Sequence, residues 1–182
     1  MSVSTLVIIC ITLIYPLAVW LGQGQIEPRF LAGLLVLVGL TRLPTLKIGQ
    51  ARRWWIGGTL LLFILAVWSN LLLPLKLYPV LVNAALLGAF AYSLIFPPSM
   101  IERFARMREP DLPAEAIGYT RRVTQVWCVF LSLNGAMALM TALWASPATW
   151  MLYNGFIAYL MMGLLFAGES VVRWRFKRRL NV

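Results

Sequence analysis

The chain has no histidine, only two cysteines and only six acidic residues. Without histidine it lacks the commonest general base near neutral pH and the commonest side-chain ligand for transition metals. Cys10 and Cys128 lie far apart within apolar runs, a setting for small core thiols and not for a disulfide framework or a metal site. No glycine-rich phosphate loop, zinc-ligand spacing or dinucleotide fingerprint occurs. Nor is there a carboxylate pair or a nucleophile beside a base, the arrangements that most hydrolytic chemistry needs. These absences argue against an enzyme, and no cofactor or metal ion is expected.

What is abundant is apolar. Hydrophobic residues form 61% of the 182 and mean hydropathy is +0.81, outside the range of ordinary soluble domains. The net charge of +10 is divided into patches between apolar runs, whereas a nucleic-acid site would gather it into one groove. Arg42, Lys47, Arg52 and Arg53 form the first patch, Arg103, Arg106, Arg108, Arg121 and Arg122 the second. Arg173, Arg175, Lys177, Arg178 and Arg179 form the third, leaving only Arg29 and Lys76 elsewhere. Anionic lipid headgroups are the expected partner, and nucleic acid is not.

A membrane-spanning helix needs about 20 mostly apolar residues. Hydropathy predicts six, over residues 3–21, 28–43, 54–73, 78–96, 123–144 and 150–168. Gly22–Gln25, Leu43–Pro44, the Pro74–Lys76–Pro79 stretch, Pro97–Pro98 and Ser146–Pro147 separate them. The fold expected is all-α: a polytopic membrane protein, a six-transmembrane-helix bundle forming one integral domain over 1–182. Six crossings put all three basic patches on one side, and Lys/Arg-rich loops stay cytoplasmic. The expected localisation is the bacterial inner (cytoplasmic) membrane, with N- and C-termini in the cytoplasm. Met1–Thr5 carries no positive side chain, and no small-x-small pattern follows the run to Leu21, so a retained first helix is expected instead of a cleaved signal peptide.

The loop 97–122 is the only sizeable one. Met100, Ile101, Phe104 and Met107 recur at helical spacing, with Glu102, Arg103, Arg106 and Arg108 on the other side. That pattern predicts an amphipathic cytoplasmic helix lying in the headgroup layer. Asp111 is the expected N-cap of a second short helix that runs from Pro113 into Arg121–Arg122 and leads to the fifth span. The loop is either a lipid-anchored connector or a platform for a substrate or partner. Its Arg103, Phe104, Arg106 and Arg108 join Arg173, Arg175, Lys177, Arg178 and Arg179 of the basic tail, 169–182, as interfacial residues.

Inside the spans there is no Asp, Glu, Lys or Arg near a midplane, which weighs against a proton-driven carrier. Asn70, Asn83, Ser132, Asn134, Thr141 and Asn154 remain, each able to fix helix packing by a hydrogen bond worth on the order of 1 kcal/mol. Small residues recur four apart at Ala84/Gly88, Ala85/Ala89, Ala138/Ala142 and Gly163/Ala167, a spacing that allows close internal packing. Trp20, Trp54, Trp55, Trp144 and Trp150 fall at span ends, as in an aromatic belt. Glu169 sits one turn before Arg173, on the side from which Arg121 and Arg122 enter, so an ion pair tying the fifth and sixth spans is expected. Arg121, Arg122, Asn134, Asn154 and Glu169 are the expected functional cluster.

Tyr119–Trp127, Leu133–Gly135, Tyr153–Gly155 and Gly163–Glu169 together resemble a family of small bacterial inner-membrane proteins associated with aryl-polyene or related acyl-lipid gene clusters. The resemblance covers about residues 95–175. More remotely the layout is similar to the intracellular septation protein A family, with Trp127 and Asn134 matching a tryptophan and an asparagine of its penultimate helix. Both resemblances imply a setting in envelope or acyl-lipid biogenesis and neither supplies a catalytic residue. The expected function is an accessory or scaffold protein holding acyl-lipid enzymes or intermediates at the cytoplasmic leaflet. Envelope or acyl-lipid biosynthetic proteins are its expected partners, and the oligomeric state stays open. The alternative is a small transporter or flippase of a lipid or amphiphile, with Asn83, Asn134 and Asn154 converging on one cavity. A membrane enzyme using Glu169 as acid or base is a third reading, for which no partner residue is visible.

Overall fold

Proline placement decides where the helices of this chain begin. Pro74, Pro79 and Pro147 each occupy the first turn of a helix, where a missing N–H is no loss because no intrahelical acceptor exists there. The computed structural model describes residues 15–22, 26–27, 30–33, 36, 49–69, 71–107 and 109–179, and all regular structure among them is helical. Helical residues 15–21 (α1) and 30–33 (α2) precede α3 (Gly49–Ser69), α4 (Leu73–Lys76), α5 (Tyr78–Ile95) and α6 (Met100–Arg106). α7 (Ala114–Trp144) is followed by α8 (Pro147–Leu152), which continues through a π-helical turn (Tyr153–Ile157) into α9 (Ala158–Arg179).

Three helical runs among the described residues are long and apolar enough to cross a membrane: Leu73–Ile95, Ala114–Trp144 and Pro147–Arg175. Most of their large apolar side chains face outward, including Ile95 and Leu164, which suits a lipid surrounding and not water. Six crossings are not seen among the described residues. The expected spans 3–21 and 28–43 lie largely outside the described residues. α3 begins before Trp54, stops at Ser69, and has an apolar stretch of only Ile56–Trp68, shorter than a full crossing requires.

Other boundaries also move. The expected break at Pro74–Pro79 barely interrupts the chain, because both prolines fit first turns and α4 runs straight on to α5. The second loop helix and the fifth span are one helix, Ala114–Trp144, whose N-cap is Pro113 and not Asp111. The basic tail is no appendage: α9 carries it in helix through Arg179.

The core lies at the end of the bundle away from Arg121, Arg122 and Arg173. Tyr15, Val19, Leu75, Tyr78 and Trp150 are buried together there. The Tyr15 hydroxyl donates to the Leu75 carbonyl at 2.8 Å. Trp150 Nε1 donates to the neighbouring Lys76 carbonyl at 3.2 Å. Trp150 is thus fully buried core and not part of an aromatic belt, whereas Trp144 is 76% exposed. Of the small-residue pairs, Ala138/Ala142 is buried, but Ala84/Gly88 and Gly163/Ala167 lie on exposed faces.

Candidate functional site: a groove at the basic end

α7 has 31 residues and rises about 46 Å at ~1.5 Å per residue, against about 30 Å of hydrocarbon. Its excess length is residues 114–122, which carry Glu115, Arg121 and Arg122. The antiparallel α9 has a matching extension from Glu169 through Arg173, Arg175 and Arg178. The two extensions lie side by side. Tyr119 Oη donates to Glu169 Oε1 at 3.2 Å and also approaches the Glu169 carbonyl at 3.4 Å. Deeper in, the Trp127 ring meets Phe166 with centroids 4.5 Å apart.

α6 supplies the third wall and is held there by its own first turn. The Met100 N–H donates to Ser93 Oγ on α5 (2.8 Å) and the Ile101 N–H to Thr124 Oγ1 on α7 (3.3 Å). Thr124 and Ser93 therefore satisfy N–H groups that no intrahelical acceptor reaches. Glu102 is buried, accepts from the Ser99 N–H at 3.4 Å and pairs with Arg106 at 2.9 Å. Arg103 donates to the carbonyls of Pro98 (2.8 Å) and Phe96 (3.3 Å), and Arg106 to that of Pro110 (3.3 Å). The expected solvent-facing side of this helix is thus the one that folds the loop. Its apolar Phe104 and Met107 remain 53% and 76% exposed.

Between α6, α7 and α9 lies a groove of about 840 Å³, within the roughly 300–1,000 Å³ usual for a small-molecule site. Trp127 and Phe166 lie at its deep end and Ile101, Phe104 and Ala116 along its sides. Glu109, Glu169, Arg173 and Trp174 also line it, Glu169 and Arg173 one turn apart on the extension of α9. Burial, reinforced by the adjacent Glu169 carboxylate and opposed by Arg173, pushes the Tyr119 hydroxyl up to about 12. Tyr119 is therefore a proton donor throughout the neutral range. Arg173 Nη2 stands 3.6 Å from Glu169 Oε2, longer than the ~2.7–2.9 Å of a charge-assisted hydrogen bond.

The expected functional residues do not form one cluster. Glu169 is at the groove, but its cross-helix partner is Tyr119. Arg121 and Arg122 are exposed, and among the described residues neither pairs with Glu169. Helix geometry explains why: at ~100° per residue, Arg121 is about 200° around α7 from Tyr119, and Arg122 about 200° from Thr120, which also lines the groove. Asn134 lies fifteen residues beyond Tyr119, about 22 Å along the axis. It is buried, donating through Nδ2 to Asn83 Oδ1 (3.0 Å) and accepting from Tyr153 Oη (2.9 Å). Asn83 Nδ2 donates to the Pro79 carbonyl at 2.9 Å. Asn154 has separate partners, donating to Thr141 Oγ1 (3.1 Å) and the Trp150 carbonyl (3.0 Å). These asparagines join helices to one another.

Of the interfacial arginines, Arg173 lines the groove, Arg175 is exposed, and Arg178 stacks on Trp174 with its guanidinium 3.8 Å from the ring centre. Arg108 and the side chains of Lys177 and Arg179 lie outside the described residues. Sequence reasoning missed Tyr119 and Trp174 as site residues. Their signal was available: aromatic side chains with polar tips within one turn of a predicted interface. Comparison with family models, curated proteins and solved structures finds no match.

Proposed function

We propose that this chain is a non-catalytic accessory or scaffold protein of bacterial cell-envelope or acyl-lipid biogenesis, set in the cytoplasmic membrane. In this reading it crosses the membrane six times, and its ends and three basic patches lie in the cytoplasm. One observation carries the proposal: the groove straddles the passage from apolar to charged side chains on α7 and α9. Such a cleft suits an acyl chain at its deep end and a polar head at its mouth, at the leaflet where Arg121, Arg122 and Arg175 meet anionic headgroups. The resemblance of residues 95–175 to membrane proteins of aryl-polyene-type gene clusters points to the same setting. Lipid transport is the less supported alternative, because Asn83, Asn134 and Asn154 spend their polar atoms on helix contacts.

The test compares lipid and pigment extracts of a deletion strain with those of its complemented parent by mass spectrometry. The expected result is loss or stalling of one acyl-lipid species, restored on complementation. An unchanged profile removes the biogenesis role, and accumulation of a lipid on one leaflet moves the assignment to transport.

A further inference from the structure

The groove stands higher than the apolar runs beneath it. The run of α7 from Val123 to Trp144 rises about 33 Å, enough to fill the roughly 30 Å of hydrocarbon by itself. Arg122 then lies at the edge of the hydrocarbon. Most of the groove wall on α7 and α9 belongs to their extensions beyond that edge, with Ala116 and Tyr119 on one helix and Glu169 and Arg173 on the other. On these two helices only Trp127 and Phe166 line it from the apolar runs. Trp127 comes five residues after Arg122, a descent of about 7 Å, whereas the hydrocarbon of one leaflet is about 15 Å deep. The Trp127 and Phe166 rings touch, with centroids 4.5 Å apart, and Phe130 and Phe90 back Trp127 at 5.7 and 6.3 Å. This aromatic cluster is the floor of the groove, and it stops a chain halfway through the leaflet.

Above the floor an apolar lining continues where the flanking helices turn charged. α6 starts level with Thr124, which accepts from its Ile101 N–H, and Ile101 and Phe104 line the groove with Leu112 and Ala116. From Trp127 to Ala116 the groove is about 16 Å long, roughly 9 Å of it beyond Arg122. A chain running its length therefore lies mostly outside the hydrocarbon. A diacyl lipid held this way draws its second chain out of the hydrocarbon as well, and exposing that chain to water is unfavourable. An amphiphile with one chain has none to expose. Resting on the reading of the groove as a lipid-holding site, we infer that it takes a single-chain fatty acyl amphiphile, a fatty acid or a monoacyl lipid. Its chain end rests on Trp127 and Phe166, and its head stands clear of the leaflet surface.

The full-length protein in phosphatidylcholine nanodiscs is photolabelled with three probes, each carrying a diazirine at the chain end. They are palmitic acid, palmitoyl lysophosphatidylglycerol and dipalmitoyl phosphatidylcholine, and mass spectrometry maps the labelled residues. Chain ends in the bilayer reach its midplane and mark Leu133, which is 64% exposed; chain ends in the groove mark Trp127, which is 6% exposed. The expected result is several-fold more Trp127 labelling from a single-chain probe than from the diacyl one, at equal labelling of Leu133. The stronger of the two single-chain probes identifies the source as a free fatty acid or a monoacyl lipid. Ala116→Trp fills the groove far from its floor and lowers Trp127 labelling several-fold, with Leu133 labelling unchanged. Helicity and monodispersity establish that the variant is folded. Equal labelling of Trp127 by the diacyl probe overturns the inference, as does no Trp127 labelling by either single-chain probe. Undiminished labelling in folded Ala116→Trp overturns it too. Single-chain labelling of Trp127 with an unchanged deletion-strain profile removes the biogenesis role and leaves the site standing. A stalled acyl lipid without that labelling removes only the site.

Discussion

At the scale of single residues, polar side chains here do two separate jobs. Asn83 and Asn134 bond directly across α5 and α7, and interhelical bonds of this kind contribute about 0.6–1.7 kcal/mol. A double-mutant cycle of Asn83→Ala and Asn134→Ala in detergent is expected to show a coupling energy in that range. Additive losses would mean that the bond contributes nothing. Tyr119 instead belongs to the groove, and its raised pKa has a signed consequence. The folded state holds the Tyr119 proton up to about pH 12, while the unfolded chain releases it near pH 10. Stability from this group is therefore complete below pH 10 and falls between 10 and 12. Tyr119→Phe is expected to lose less thermal stability than the parent across that window, and parallel melting curves would refute the assignment. Asn134 was legible from sequence because a lone amide in an apolar run must find a partner. Its actual partners, Asn83 and Tyr153, were not, since no spacing rule links residues 51 and 19 positions away. Glu169 was legible as a helix tie, but assigning the other half to Arg121 and Arg122 followed charge where the helix face decided.

At the scale of elements, α6 shows how a seven-residue helix, far too short to be stable alone, is kept in place. Its N–H groups use side-chain oxygens from both neighbouring helices, and Thr124 is fully buried while doing so. Thr124→Val keeps the shape and leaves the Ile101 N–H without its acceptor, a loss of roughly 1–3 kcal/mol. Hydrogen exchange of residues 100–107 is expected to accelerate by one to two orders of magnitude, as that energy implies. Exchange unchanged from the parent would show that α6 is held by other contacts. Pro97–Pro98 and Ser146–Pro147 made the helix limits near them readable. Elsewhere, the shift from charged to apolar residues at 122–123 did not mark a helix end, because a helix continues through a change of polarity when no residue breaks it. The same reasoning accounts for the tail after Gly168. Gly135 had no reading from sequence; a Cβ there would come within 3.1 Å of Asn83 Cβ, so it lets α5 and α7 approach where their asparagines meet.

At the scale of the whole molecule, polarity runs along the bundle axis: an aromatic core at one end, a groove ringed by arginines at the other. The proposed topology places that basic end in the cytoplasm. With Cys10 and Cys128 replaced by serine, a cysteine at exposed Ala148 is expected to react with a membrane-impermeant maleimide in intact cells. One at exposed Asp111 is expected to react only after permeabilisation. The opposite pattern reverses the orientation. Hydropathy and charge made this axial layout readable, but the groove was not, because it depends on how α6, α7 and α9 are rotated about their own axes. The π-helical turn at Tyr153–Ile157 sets one of those rotations. Upstream of it, α8 is keyed to the core by Trp150; downstream, α9 runs unbroken to Glu169 and Arg173. Closing the turn into an unbroken α-helix without removing a residue would swing everything beyond it by about 100° and shift it by only ~1.5 Å. Hydrophobic length and net charge would barely change, yet Glu169 would point away from Tyr119. Azimuth, and not membrane thickness, is what limits how many residues this stretch can hold.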